Sequence, residues 1–161
     1  MPVTMPCLWF DKEAEEAARF YASVFHDARM GEVVKAPGGG EPYMTEGQVI
    51  TAEVMIGGVR FTCLNGGPHA DAKPNDAVSF QIICKDQAEV DAYWSKLTAH
   101  GGREVQCGWL KDRWGFSWQI VPEVLPRLMY GADRAAARRV TEAMMKMVKL
   151  DIAVLEDAAR G

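Results

Sequence analysis

The residues with the clearest chemical potential lie in one short segment, GWLKDRWGFSWQIVP, at positions 108–122. It holds a charged step, Lys111–Asp112–Arg113, and three of the five tryptophans of the chain, Trp109, Trp114 and Trp118. Tryptophan combines a large apolar surface with one N–H donor, which suits a binding surface. The segment therefore predicts a substrate clamp, a metal-binding strand, or a hairpin that packs well, and its residue types alone do not choose among them.

No nucleophile with an adjacent general base is visible in the sequence. Ser79 and Ser117 have no histidine at any position that we expect to be close to them. The three histidines lie at predicted helix ends or in a linker, and we interpret each as a solvated or capping residue: His26, His69 and His100.

The four cysteines, Cys7, Cys63, Cys84 and Cys107, are far apart and form no C-x-x-C pattern. Free cysteine is among the most buried residue types, so we expect reduced structural thiols in a cytoplasmic protein. A less favoured alternative is a soft-metal site built by the first three.

Composition narrows the class of protein. The chain has 161 residues, of which 48% are hydrophobic, and its net charge is −4. An acidic protein is poorly attracted to nucleic acids or anionic membranes, so we expect neither as a partner. No apolar run approaches the roughly 20 residues of a membrane span, and the N-terminus does not have the pattern of a signal peptide.

An internal repeat organises the chain. LWFDKEAEEAARFY (8–21) resembles IICKDQAEVDAYW (82–94), and each is an apolar strand followed by an aspartate and an acidic first helical turn. Each half continues as strand, helix and three strands, which predicts an α+β fold of two tandem βαβββ modules. We place the modules at residues 1–66 and 77–122, a linker at 67–76 and a C-terminal helical extension at 123–161.

Local signals refine this plan. Asp11 and Asp86 are expected to cap the two module helices, and Gly57–Gly58 predicts a two-residue hairpin turn. In the C-terminal extension we expect two helices, capped by Asp133 and Asp151. An apolar face of Val140, Met144, Met147 and Val148 is expected to pack on its own domain or on a second subunit.

Alternation along the strands predicts which side chains share a face. In strands 59–64, 77–84 and 116–121 the apolar positions should face the helices, and Trp118 belongs to that set. The mixed set should face the opposite side: Thr62, Ser79, Gln81, Ser117 and Gln119.

The tandem modules and four segments together carry a resemblance to a known family. The segments are PCLWFDKEAEEAARFYASVF (6–25), FTCLNGGP (61–68), CGWLKDRWGFSWQIVP (107–122) and MMKMVKLDIAVLE (144–156). They resemble the PhnB-like branch of the vicinal oxygen chelate superfamily, the glyoxalase/bleomycin-resistance/dioxygenase proteins. This resemblance implies that the two modules form a cupped mixed sheet, and it implies a homodimer.

Members of that branch often carry the name 3-demethylubiquinone-9 3-methyltransferase. The sequence offers little support for methyl transfer, because its only dense glycine run, APGGGEP (36–42), has no strand–turn–helix around it.

Metal-dependent members of the superfamily place four ligands in the cup, usually His, Glu and Gln. Carried over to this chain, those positions are Pro6, Phe61 or Thr62, Ser79 or Phe80, and Gln119. Only Gln119 resembles a ligand, so we expect no metal site and no cofactor.

The lack of the superfamily's metal ligands leaves two possible functions. The first is a metal-independent protein that binds an unidentified small molecule, and the alternative is an enzyme with an atypical cup site around Gln119. The Asp112–Arg113 pair is expected at the rim, either orienting a ligand or forming a stacked turn in which the arginine covers an indole. The expected ligand-binding residues of cup and rim are Leu8, Thr62, Ser79, Gln81, Ser117, Gln119, Trp109, Asp112, Arg113 and Trp114.

Overall fold

A computed structural model of the chain describes residues 2–42, 44–69 and 71–161. The chain divides into two compact units, with the boundary between Lys73 and Pro74. Each unit is described by itself below. None of the helices in the described residues is long and apolar enough to cross a membrane.

The first unit is one βαβββ module. Its strands form a four-stranded sheet in the order β1-β4-β3-β2, in which β1 runs parallel to β4 and the other pairs are antiparallel. The elements are β1 (Cys7–Phe10), α1 (Ala14–Val24), β2 (Arg29–Lys35), β3 (Val49–Ile56) and β4 (Val59–Asn65). The Gly57–Gly58 hairpin is confirmed, because Ile56 pairs with Val59 and both glycines have positive φ.

Helix α1 buries the face that its spacing predicts. Its buried side chains recur at intervals of three or four residues and contribute to the core of the module: Ala14, Ala17, Ala18, Tyr21 and Val24. The predicted cap is wrong, however, because the helix begins after Glu13 and Asp11 lies outside it. The amide of Ala14 instead donates to Oδ1 of Asn65, at 2.8 Å, at the end of β4.

The second unit contains the second βαβββ module, which repeats the topology of the first. The sheet order is β5-β8-β7-β6, again with the first pair parallel and the others antiparallel. The elements are β5 (Ser79–Cys84), α2 (Gln87–Thr98), β6 (Arg103–Glu104), β7 (Trp109–Lys111) and β8 (Ser117–Pro122). Asp86 caps α2 as predicted, since its side chain accepts from the amide of Glu89 at 2.9 Å.

The C-terminal extension forms three helices, where the sequence predicted two. They are α3 (Val124–Tyr130), α4 (Arg134–Met144) and α5 (Ile152–Arg160), and the predicted caps Asp133 and Asp151 are confirmed. Helix α3 is the one that the sequence did not predict, and its Pro126 lies in the first turn, where proline is tolerated.

The three C-terminal helices share a core inside the second unit. It consists of four buried residues: Leu125, Val140, Leu150 and Leu155. Met144 and Met147 pack against this core, so that part of the predicted apolar face serves its own unit, whereas Val148 is 42% exposed.

Candidate functional site

The face of the second sheet opposite α2, called the open face below, gathers most of the polar residues that the sequence singled out. Ser79 lies opposite Ser117, and Gln81 lies opposite Gln119, in the parallel β5–β8 pair. Their alternate neighbours on β8 are buried on the helix-covered face, including Trp118 at 2% exposure. Strand alternation therefore places the four polar residues together, as predicted from sequence.

Side-chain hydrogen bonds link three of these residues into a chain. Gln81 Nε2 donates to Gln119 Oε1 at 3.2 Å, and Gln119 Nε2 donates to Ser79 Oγ at 2.8 Å. The chain has a direction, because it leaves the Ser79 hydroxyl as a donor at one end and the Gln81 carbonyl as an acceptor at the other. A ligand on this face would meet neutral hydrogen-bonding groups of both kinds.

A charged cluster lies beside this amide chain. Asp76 Oδ1 accepts a hydrogen bond from Ser117 Oγ at 2.7 Å and pairs with Lys111 Nζ at 2.7 Å. The Lys111 side chain is only 12% exposed, while that of Asp76 is 68% exposed. The hydrogen bond from Lys111, followed by that from Ser117, holds the pKa of the Asp76 carboxyl below its ordinary value.

Sequence reasoning missed Asp76 and Lys111 as site residues. Asp76 falls in the predicted linker at 67–76, and Lys111 is not among the predicted ligand-binding residues. The signal for Lys111 was present in the alternation of WLK, since Leu110 is fully buried and Trp109 and Lys111 flank it on the other face. No local pattern pointed to Asp76, because its partners lie on β7 and β8.

Asp76, Lys111 and Ser117 line a cavity of about 300 Å³, whose lining does not include Ser79, Gln81 or Gln119. Trp109, which pairs with Gln119 across β7 and β8, contributes an aromatic surface. The loop before β7 forms one wall of the cavity, with the residues Val105, Gln106 and Cys107. An apolar surface with a few polar groups is typical of small-molecule sites, and this volume is at the lower end of their range.

Asp112, in the turn between β7 and β8, does not lie at the rim where the sequence predicted it. Its carboxylate is 2% exposed and accepts hydrogen bonds from the amides of Trp114 and Phe116 and from Trp118 Nε1 at 2.9 Å. It therefore lies in the interior and not on an exposed rim. The Arg113 guanidinium lies 4.2 Å from the ring centre of Trp114, the stacked turn that was one of the two alternatives.

Two of the expected ligand-binding residues, Thr62 and Leu8, belong to the first module, and only Thr62 lies outside its core. Thr62 is half-buried on the face of β4 opposite the buried Phe61 and Cys63. Leu8 lies differently from the expectation, because it pairs with Cys63, is 5% exposed and belongs to the core. A separate cavity of about 540 Å³ in this unit lies near the start of α1 and includes neither residue.

The positions carried over as metal ligands do not fit a divalent cation. Pro6 offers no side-chain donor, Phe61 is buried, and Ser79 and Gln119 hydrogen bond to each other. A hard cation requires several oxygen or imidazole donors, usually including carboxylates. Across residues 2–42, 44–69 and 71–161 no three His, Cys, Asp or Glu residues are grouped so that they could hold a metal ion.

Comparison with known proteins agrees with this fold. A family model described as 3-demethylubiquinone-9 3-methyltransferase matches residues 2–121. No match was found among curated proteins.

Three solved structures have the same fold. A PhnB protein from Bacillus cereus is 27% identical, with a TM-score of 0.66 over 75% of this chain and 99% of that one. A Pseudomonas aeruginosa protein is 16% identical, with a TM-score of 0.62 over 76% and 98%. The fosfomycin resistance protein FosX from Listeria monocytogenes, complexed with Mn(II) and sulfate, is 14% identical, with a TM-score of 0.52 over 79% and 94%. The last two likenesses concern the fold alone.

Proposed function

The chain belongs to the 3-demethylubiquinone-9 3-methyltransferase family, a PhnB-like branch of the vicinal oxygen chelate superfamily, and on that premise we propose that it binds a small organic molecule without a divalent metal. The binding site that we propose consists of the cavity and the amide chain beside it, which is joined to the cavity by the pairing of Ser79 with Ser117 and of Gln119 with Trp109. The observation that carries the proposal is the hydrogen bond between Gln119 and Ser79, because it joins two carried-over ligand positions through neutral groups.

The chemistry of the cavity supports a planar, amphipathic ligand. Trp109 offers a surface on which an aromatic ring can stack, and the amide chain offers a donor and an acceptor to polar substituents. The ammonium of Lys111 is already paired with Asp76, so a full negative charge on the ligand has no unneutralised cation there. The ligand that fits best is therefore aromatic, with neutral polar groups.

A direct test uses N-phenyl-1-naphthylamine, a neutral aromatic fluorescent probe, together with metal analysis of the same sample. We expect purified protein to contain no stoichiometric divalent metal and to bind the probe equally well in EDTA and in MnCl₂. Trp109→Ala should weaken binding several-fold and Trp114→Phe should leave it unchanged. Stoichiometric metal, or binding that EDTA abolishes, would refute the proposal.

A second candidate function is catalysis at the same site. The contact among Lys111, Asp76 and Ser117 favours it, because interacting titratable groups beside a cavity are frequent in active sites. Asp76→Asn would then abolish turnover of a bound compound while leaving its affinity within a few-fold. Equal loss of turnover and affinity would argue for binding alone.

We further propose a homodimer in the cytoplasm. Homodimers are what the resemblance implies, and four free thiols suit a reducing compartment. Light scattering coupled to size-exclusion chromatography would determine the oligomeric state.

A further inference from the structure

We infer that the C-terminal extension is a positioning element of the open-face cavity: its segment 145–150 fixes the wall at residues 105–108 and thereby sets which ligands enter. The inference rests on the proposed function for the meaning of the cavity. The family match ends at residue 121, before the extension begins.

Two backbone hydrogen bonds join the wall to the extension. The amide of Cys107 donates to the carbonyl of Met147 at 2.9 Å, and that of Gly108 donates to the carbonyl of Val148 at 2.8 Å. Cys107 has a φ of 59°, which is unfavourable for a residue with a side chain. Such a conformation persists where surrounding contacts hold it, and the extension supplies two of them beside the hydrogen bonds of the wall with itself and with β8.

Side-chain packing also joins the wall to the extension, at Leu150 and Gly108. Leu150 is 1% exposed, and a Cβ atom added to Gly108 would lie 2.9 Å from Leu150 Cδ1 and 2.9 Å from the carbonyl oxygen of Ile120. Glycine is therefore required at position 108 both for its φ of 81° and for the approach of the leucine. The wall and the extension are therefore in close contact at Gly108 and Leu150.

A clamp on α2 fixes the other side of segment 145–150. Gln87 donates from Nε2 to the carbonyl of Leu150 at 3.2 Å and accepts from the amide of Ile152 at 2.9 Å. Lys149 Nζ lies 2.5 Å from Asp91 Oδ1. Neither Gln87 nor Asp91 lines the cavity, so changes at these residues reach the ligand through the extension.

The coupling can be tested with Gln87→Ala, which removes both clamp hydrogen bonds, and with Leu150→Ala, which loosens the packing. Arg138→Ala is the matched control, because it breaks an exposed ion pair with Glu142 on α4 away from the junction. Two lost hydrogen bonds predict roughly tenfold faster deuterium exchange or more in residues 145–152 and 105–108 of Gln87→Ala. The control should exchange like the wild type in both segments.

Ligand selection supplies a readout that general destabilisation would not produce. We expect the ratio of affinities for N-phenyl-1-naphthylamine and the larger neutral dye Nile red to shift several-fold toward Nile red in Gln87→Ala. The ratio should not change in Arg138→Ala.

Faster exchange in residues 145–152 with unchanged protection of residues 105–108 would overturn the inference, as would an unchanged affinity ratio with a loosened wall. If the wild-type protein binds neither probe, the proposed function fails by itself. The exchange result would still decide whether the wall depends on the extension. Gln87→Ala keeps the test decisive if Leu150→Ala does not fold.

Discussion

The amide of Gln119 donates a 2.8 Å hydrogen bond to the hydroxyl of Ser79 across the parallel β5–β8 pair. These residues occupy two of the positions that the superfamily resemblance assigns to metal ligands, and here each satisfies the other. Gln119 also accepts from Gln81, so its amide is fixed at both ends. This geometry provides a preorganised, neutral surface for hydrogen bonding, which supports ligand binding without a metal.

Removing the central amide should weaken probe binding. Gln119→Ala loses both hydrogen bonds and leaves Gln81 and Ser79 unaligned. We expect the affinity for N-phenyl-1-naphthylamine, measured by fluorescence titration, to fall several-fold. Ser95→Ala, an exposed serine on α2, is the control and should bind like the wild type. Equal affinities for Gln119→Ala and the wild type would place the probe elsewhere.

Asp112 should matter for stability far more than Arg113. Asp112→Ala would leave two amides and the Trp118 indole N–H in the interior without their acceptor, so we expect unfolding by urea to show a loss of about 3 kcal/mol or more. Arg113→Ala removes a cation–π contact near the surface and should cost less than about 1 kcal/mol. A small effect at Asp112 would contradict its role as the anchor of the turn.

The parts of this structure that follow from sequence are those with a local signal. Strand alternation placed Ser79, Gln81, Ser117 and Gln119 on one face and Trp118 on the other, because side-chain direction has a period of two in any strand. The helical spacing of α1 likewise identified its buried side chains.

The parts that failed depend on pairing between distant segments. The face of Leu8 in the four-residue strand β1 is set by its register with Cys63, which the sequence of β1 does not encode alone. The cluster of Asp76 with Lys111 and Ser117 likewise arises only when the second sheet is assembled.

The cap of α1 gives a direct test of this distinction. Asn65 accepts from the amide of Ala14 and donates from Nδ2 to the carbonyl of Val49 at 2.9 Å, so it joins the helix to β3 and β4. Asn65→Ala should lower the free energy of unfolding by about 1–2 kcal/mol. Asp11→Ala, at the position that the sequence predicted as the cap, should change it by less than about 0.5 kcal/mol. The reverse order in urea denaturation would show that the local cap is the operative one.

The four thiols should divide into two classes. Cys63 and Cys84 have no exposed surface, and burial raises the pKa of the Cys84 thiol to about 12, so neither should react in the folded protein. Cys7 is exposed and Cys107 half-buried, so two thiols per chain should react with Ellman's reagent before unfolding and four in urea. Burial also raises the pKa of Cys7, which should slow its reaction at neutral pH. Rapid reaction of all four in buffer would contradict the burial of the second pair.

The titration of Asp76 should report directly on the charged cluster. Its hydrogen bond with Lys111, assisted by that of Ser117, lowers its pKa from the ordinary value of 3.8. A carboxylate with a lowered pKa stabilises the folded state above its unfolded pKa, and that contribution is lost as the pH falls through its folded pKa. The stability difference between the wild type and Asp76→Asn should therefore shrink below pH 3.8. In carbon-detected NMR, Lys111→Met should raise the Asp76 midpoint toward 3.8, and a wild-type midpoint at or above that value would show that the cluster does not form in solution.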